Sequence, residues 1–322
     1  MTERSPLDER YLETLRETVE RLAVGQASTL DLKIASAALT EMADAYEMFA
    51  PYRDTRKVTI FGSARTTPED PLFALTVDVA HRLSAHGWMV VTGAGPGIME
   101  AGMVGAGREN SIGVSIRLPF ETSANSIIAG DEKYVSMRYF FTRKLMLMKE
   151  SHAFLCLPGG FGTLDEMFEL LTRTQTGKGV PSPIVLLDRA DDPFWSGVHD
   201  FIASEVLPRG LVSEQDLSLF TVTNEVERAV NEIVSFYRNY HSIRFVRGRL
   251  LVRLHRAPNP HQLAYMNEHF GLLCEKGQIE IAEATQDEID DKDCLDLLRI
   301  RLAFNGRNFG KLRQLIDYLN TF

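Results

Sequence analysis

The sequence predicts an α/β protein: a Rossmann-like, doubly wound parallel sheet, preceded by an N-terminal helical segment and followed by a small C-terminal α+β domain. Three observations carry this. From residue 57 onward short apolar runs alternate with amphipathic helical patterns, an order that implies right-handed crossovers between parallel strands. Glycine-rich turns begin at Gly62, Gly93 and Pro158, each where an apolar run ends. After Tyr240 the alternation stops and shorter strand and helix patterns replace it.

The elements follow in order. Residues 1–56 read as two helices, near 6–24 and 29–49, with Ser28, Thr29 and Asp31 as start signals for the second. Their amphipathic period suits covering a core face or an oligomer contact, and no chemistry is visible in them. Residues 57–240 read as a nucleotide-binding catalytic domain, with strands near 57–61, 88–92, 111–117, 153–157 and 183–187 and a weaker one at 133–136. Helices fall between and after them, near 70–86, 97–109, 139–151, 162–176, 194–206 and 224–239. In such sheets ligands bind at the carboxyl ends of the strands, so the three glycine turns can converge on one crevice. Residues 241–322 read as strand 243–254, helix 260–274, strands 278–284 and 297–304 and helix 308–320, a ferredoxin-like order with a regulatory or assembly role. Within it Arg244, Arg247, Arg249, Arg253 and Arg256 could bind an anion but read rather as an exposed strand face, and Asp287–Asp293 reads as a solvated turn.

Composition narrows the function classes. The 322 residues are 44% hydrophobic and 25% charged, ordinary for a globular protein of about two domains. A net charge of −9 argues against a general nucleic-acid binder, which needs a basic face, whereas a small anion needs only a local positive site. Cys156, Cys274 and Cys294 are odd in number and lack Cys-x-x-Cys spacing, which fits reduced thiols. Met1–Arg4 carry no apolar signal core, and no run approaches the ~18 apolar residues of a membrane helix, so the expected location is the cytoplasm and no membrane partner is expected.

The stretch Pro158-Gly159-Gly160-Phe161-Gly162-Thr163-Leu164-Asp165-Glu166 follows the apolar strand at 153–157 and opens a helix. Glycines allow close approach of a ligand, and unpaired amides at a helix start attract an anion. Glu166 lies about one turn inside that helix, where it would repel a bare phosphate. This places phosphate on the amides and hydroxyl of Gly159, Gly160, Gly162 and Thr163, and a sugar or base near the carboxylate. Gly93, Gly95 and Gly97 open another strand-to-helix turn, but without the full Gly-x-Gly-x-x-Gly spacing of a dinucleotide site. Ser63 and Arg65 follow the first strand, where they can contact base or phosphate or simply face solvent. Asp165 reads as a helix-start charge, and Met146, Met148 and Phe168 as core packing.

The Pro-Gly-Gly-x-Gly-Thr-x-x-Glu pattern resembles the signature of the LONELY GUY family of nucleotide phosphoribohydrolases, long labelled lysine decarboxylase-like. Its second motif is an Arg-Lys pair, here Arg143-Lys144, fifteen residues before Pro158. Longer relatives also carry Gly-Ser-Ala-Arg and Gly-x-Gly-Pro-Gly-Ile-Met-Glu, matched by Gly62–Arg65 and Gly93–Glu100. The resemblance spans roughly 57–240. It implies Glu166 and Arg143 as catalytic residues, a nucleoside monophosphate substrate such as AMP or a cytokinin riboside 5′-monophosphate, and at least a dimer. Phe141-Thr142 stand where short-form relatives have Met-His, so the resemblance does not extend to base preference.

The residues themselves admit this chemistry. N-glycosidic hydrolysis passes through a sugar with oxocarbenium character, which Glu166 can stabilise, or whose attacking water it can orient and deprotonate. A permanently charged guanidinium is a poor general acid, so Arg143 is expected to orient Glu166 or bind phosphate and ribose, with Lys144 a secondary candidate for the same anionic region. No metal and no cofactor is expected. Two other readings stand beside it: a non-enzymatic carrier or sensor of a nucleotide or molybdopterin-type cofactor, and a decarboxylase needing pyridoxal phosphate on a lysine such as Lys144 or Lys149.

Overall fold

Strands Lys57–Phe61 (β1) and Ala153–Cys156 (β5) are buried along their whole length, as expected of strands covered on both faces. In the computed structural model, which describes residues 6–117 and 124–322, they lie side by side at the middle of a parallel sheet. Its other strands are Met89–Thr92 (β2), Ser111–Ile116 (β3), Tyr134–Met137 (β4), Ile184–Leu187 (β6) and Thr221–Thr223 (β7). The order among the described residues is β4-β3-β2-β1-β5-β6-β7, with every pairing parallel. The chain runs outward from β1 to β4, then returns to the other side of β1 as β5. That reversal makes the carboxyl ends of β1 and β5 a topological switch point, where open α/β sheets hold ligands.

Helices cover both faces. One face packs against Thr29–Phe49 (α2), Phe140–Lys149 (α5), Phe161–Gln175 (α6) and Phe194–Phe201 (α7), with Phe49, Met146, Met167 and Trp195 in its core. The other packs Pro71–Ala85 (α3) and Val226–Ser235 (α8) through Val79, Leu83 and Ile233. Ile98–Ala106 (α4) follows β2 and packs along α3. The leading helix Pro6–Val24 (α1) is almost wholly exposed. No helix among the described residues is long and apolar enough to cross a membrane, and Met1–Arg4, read as lacking a signal core, lie outside them.

A second sheet of order β10-β11-β9-β8 is antiparallel, built from Tyr240–Val246 (β8), Arg249–Leu254 (β9), Cys274–Ala282 (β10) and Leu298–Phe304 (β11). Pro260–Phe270 (α9) and Phe309–Leu319 (α11) supply Met266, Phe270, Leu312 and Leu315 to its core. Three expectations need correction, and one strand was not anticipated. The strand expected at 243–254 is a hairpin, turned at Arg247 and Gly248 with φ of +48° and +77°. The apolar alternation continues through that turn, and only Gly248 signals it. Strand β10 begins at Cys274, four residues ahead of Gln278, because its first half is an exposed polar edge. β7 is a three-residue strand with no apolar run to announce it. The acidic run is no solvated turn: Gln286–Asp291 (α10) is capped by Thr285, and Glu288 is fully buried.

The same finding corrects the reading of Arg253, whereas Arg247 and Arg256 are exposed as expected. Arg253 is 4% exposed and donates to Glu288 at 2.8 Å and Asp293 at 2.5 Å, and Arg299 approaches Glu288 at 3.2 Å. Arg244 reaches Asp293 at 2.6 Å and Arg247 reaches Asp287 at 2.7 Å. The basic strand and the acidic segment are each other's partners, which lets charged groups be buried. Met146 and Met148 are in the core as expected, whereas Phe168 is 42% exposed, one position off the buried Met167–Leu170 face of α6.

Candidate active site

The loops after β1 and β5 are stitched together: Leu157 N donates to Phe61 O at 2.8 Å and Ser63 N to Pro158 O at 3.2 Å. Above them opens a cleft of about 660 Å³ lined by both loops, Gly93, Arg143 and the first turn of α6. Gly160 is the N-cap of α6, and no side chain caps that end. The first-turn amides, which have no partner within a helix, therefore open onto the cleft. Thr163 stands on this turn, packed closely enough on Gly159 that a Cβ there would sit 2.2 Å from its Oγ1. Gly160 and Gly162 differ: a Cβ on either would meet nothing within 4 Å. The fold's own packing does not require glycine there, whereas a ligand lying on those amides would.

Glu166 lies on α6 one turn further in, 7% exposed, and its Oε2 is buried without a hydrogen-bond partner among the described residues. Burial pushes its carboxyl up to about 7, against the opposing pull of Arg143 and Lys144. Arg143 comes from α5, across the cleft, where its Nε donates to Val114 O at 3.1 Å. A buried carboxylate and a guanidinium from different helices thus face one cavity beside an uncapped helix end.

The remaining predicted residues divide. Ser63, Arg65 and Gly93 line the cleft. Gly93 leaves room for the guanidinium, since a Cβ there would be 2.0 Å from Arg143 Nη2. Gly97 has φ of +69° and holds α4 against the first loop, with Ile98 N donating to Ser63 O at 3.0 Å. Gly95 approaches the flexible end of Met99. Neither Gly95 nor Gly97 is among the cleft-lining residues. Lys144 is not either: its Nζ lies 2.6 Å from Asp165 and 2.8 Å from Glu169. Burial works against the Lys144 charge, but those two carboxylates outweigh it and raise its pKa. An ammonium held protonated in this way is poorly placed to form a Schiff base.

Residues 96–233 match the protein family described as "Possible lysine decarboxylase". A probable cytokinin riboside 5′-monophosphate phosphoribohydrolase of Oryza sativa subsp. japonica is 30% identical over 141 residues, 42% of this chain and 64% of its own length. The cytokinin riboside 5′-monophosphate phosphoribohydrolase of Mycobacterium marinum (strain ATCC BAA-535 / M) is 27% identical over 172 residues, 52% of this chain and 87% of its own. Over this segment the chain is similar to proteins of the LONELY GUY family. Among solved structures, the molybdenum cofactor carrier protein of Chlamydomonas reinhardtii is 18% identical with a TM-score of 0.39, covering 55% of this chain and 94% of that one. A likeness at that score decides nothing about ligand or activity.

The matched segment contains Arg143 and Gly159–Glu166 but not the N-terminal helices, which contribute a residue that the sequence did not reveal. Glu41 of α2, 8% exposed, accepts hydrogen bonds from Arg138 N at 2.7 Å, Tyr139 N at 3.4 Å and Thr142 Oγ1 at 2.7 Å. It thereby caps the start of α5, the helix that carries Arg143. Its only sequence signal is an acid on the otherwise apolar, buried face of α2, beside Ala38 and Ala45. Met99, Phe140, Phe161 and Phe194 also line the cleft and were not anticipated. Phe161, 93% exposed, and Phe140, 58% exposed, offer apolar surface at its mouth.

Proposed function

We propose that this chain hydrolyses the N-glycosidic bond of a nucleoside 5′-monophosphate, releasing the free base and ribose 5-phosphate, with AMP or a cytokinin riboside 5′-monophosphate as substrate. The observation that carries this reading is Glu166, a buried carboxylate with an unpartnered oxygen one turn from an uncapped, glycine-walled helix end. The names of the relatives at 27% and 30% identity support the same reaction class.

The 5′-phosphate lies on the amides of Gly160, Gly162 and Thr163, where the helix dipole favours its charge. That anchor brings the ribose toward Glu166. As the C1′–N bond breaks, the bond's electron pair leaves with the base, which takes a proton. Water oxygen adds to C1′, and its proton is released. Ionised Glu166 stabilises the oxocarbenium character or receives the water's proton, and Arg143 binds phosphate or ribose and orients the carboxylate. The exposed aromatic rings of Phe140 and Phe161 suit the departing base.

The test is incubation of purified protein with a panel of nucleoside monophosphates, AMP and isopentenyladenosine monophosphate among them, with chromatographic detection of free base. Base release that vanishes in Glu166→Gln is the expected result. Nucleotide bound without base release would replace this reading with that of a carrier or sensor.

A further inference from the structure

A second cavity, of about 590 Å³, lies at the amino ends of β1, β5 and β6, the opposite end of the strands from the cleft. It is walled by residues just ahead of β5 and β6, His152 and Ser182, and by the chain entering the second sheet, Tyr237–Ser242. Its size is within the roughly 300–1,000 Å³ usual for small-molecule sites. Five cations line it, Arg53, Arg56, Lys149, Arg173 and Lys178, against the single carboxylate Asp54.

These cations are not consumed by the fold. Among the described residues only Lys149 of the five has an ion-pair partner, Glu150. Arg56 stacks its guanidinium 3.7 Å from the centre of the Tyr237 ring, a contact that leaves its N–H donors available. Tyr240 backs the cavity, and its hydroxyl is buried without a hydrogen-bond partner among the described residues. Burial, then the charges of Arg56 and Lys57, depress the pKa of His152 to about 3, and burial and Arg56 also lower that of His241. Arg56 acts on both imidazoles as the second cause after burial, in a chain whose net charge is −9.

We propose that this cavity is a second ligand site, distinct from the catalytic cleft, that binds a small polyphosphate-bearing anion. Four unpaired cations around one enclosed space exceed what a singly charged ligand would neutralise, and bidentate arginines match phosphate oxygens. The overall negative charge opposes a long nucleic acid, which would meet the rest of the surface, but not a compact anion. The site joins the two sheets. Helix α6 also reaches both sites, with Glu166 in the cleft and Arg173 in this cavity.

Calorimetric titration of the full chain with inorganic tripolyphosphate tests this, with adenosine triphosphate in a parallel arm. Tighter binding of the triphosphate nucleotide would show that a nucleoside adds contacts; equal binding would show that the phosphates alone are read. The expected result is saturable binding weakened about tenfold by Arg53→Ala/Lys178→Ala, two exposed side chains whose loss leaves folding intact, and strengthened by lowering salt. It should survive Gly160→Glu, which places a like charge on the cradle of the cleft. Thermal melting of each variant checks that it folds. Absence of saturable binding at millimolar tripolyphosphate, or binding abolished by Gly160→Glu and untouched by the double variant, would overturn the proposal.

Discussion

Gly93 and Arg143 share one space: a single added Cβ on Gly93 would stand 2.0 Å from Nη2 of Arg143. The absent side chain is what lets the guanidinium lie over the end of β2 while its Nε reaches Val114 O. Gly93→Ala is therefore expected to displace Arg143 rather than unfold the protein. Base release should fall by about 10²-fold, the scale of misplacing one reacting group by an ångström. In a double variant with Arg143→Ala the loss should be little greater than in either single one, because both remove the same contact. Additive losses would show that Gly93 acts elsewhere.

The carboxyl of Glu166 ionises near 7. If the ionised form acts, base release should rise with pH through about 7, and Glu166→Gln should remove both that limb and about 10²–10⁴ of the rate. A profile flat between pH 5 and 9 in the wild type would break the link between this carboxylate and the chemistry.

The same shift affects stability with a definite sign. Unfolded, Glu166 releases its proton near 4.5, whereas folded it holds the proton to about 7. Between those values the native state binds more protons, so stability falls as pH rises, and the loss is complete above about 7. Glu166→Gln lacks this penalty. Its melting temperature relative to wild type should climb from pH 4.5 to pH 8, and a difference independent of pH would contradict the buried-carboxylate account.

Glu41 accepts three hydrogen bonds at the start of α5. Removing it strands two amides, while the Thr142 hydroxyl keeps Tyr139 O as an acceptor at 2.9 Å, so Glu41→Ala should cost about 2–4 kcal/mol in urea denaturation. Base release should fall as well, since α5 carries Arg143. Glu41→Gln, which keeps an acceptor oxygen, should recover part of both. An activity loss without a stability loss would mean that Glu41 acts on the ligand rather than on α5.

Two glycines should respond in opposite ways. Gly97→Ala forces a Cβ to 2.4 Å from Ser63 O at a φ of +69°, so it should destabilise by more than about 1–3 kcal/mol. Gly160→Ala meets no protein atom within 4 Å, so stability should change by no more than about 0.5 kcal/mol while nucleoside monophosphate binding weakens. Unchanged binding in Gly160→Ala would remove that amide from the phosphate site.

The sequence by itself determined six of the seven strands of the central sheet among the described residues and the glycine turn that opens α6. Strands such as Lys57–Phe61 and Ala153–Cys156 are covered on both faces, so burial writes a continuous apolar run into the chain. Glycines 159, 160 and 162 and Glu166 fall within eight consecutive residues, and local spacing suffices to associate them. It also named Arg143, but only through a motif. Tertiary structure alone decided what faces what. Glu41 and Thr142 are 101 residues apart, and Arg253 and Glu288 are 35 apart, so no periodicity links them. It likewise turned Lys144 toward Asp165 and Glu169 instead of the cleft. Burial propensity is a property of short segments and leaves a trace in composition and period. The pairing of charges depends on which helices the sheet brings together, and that appears only when the chain is folded.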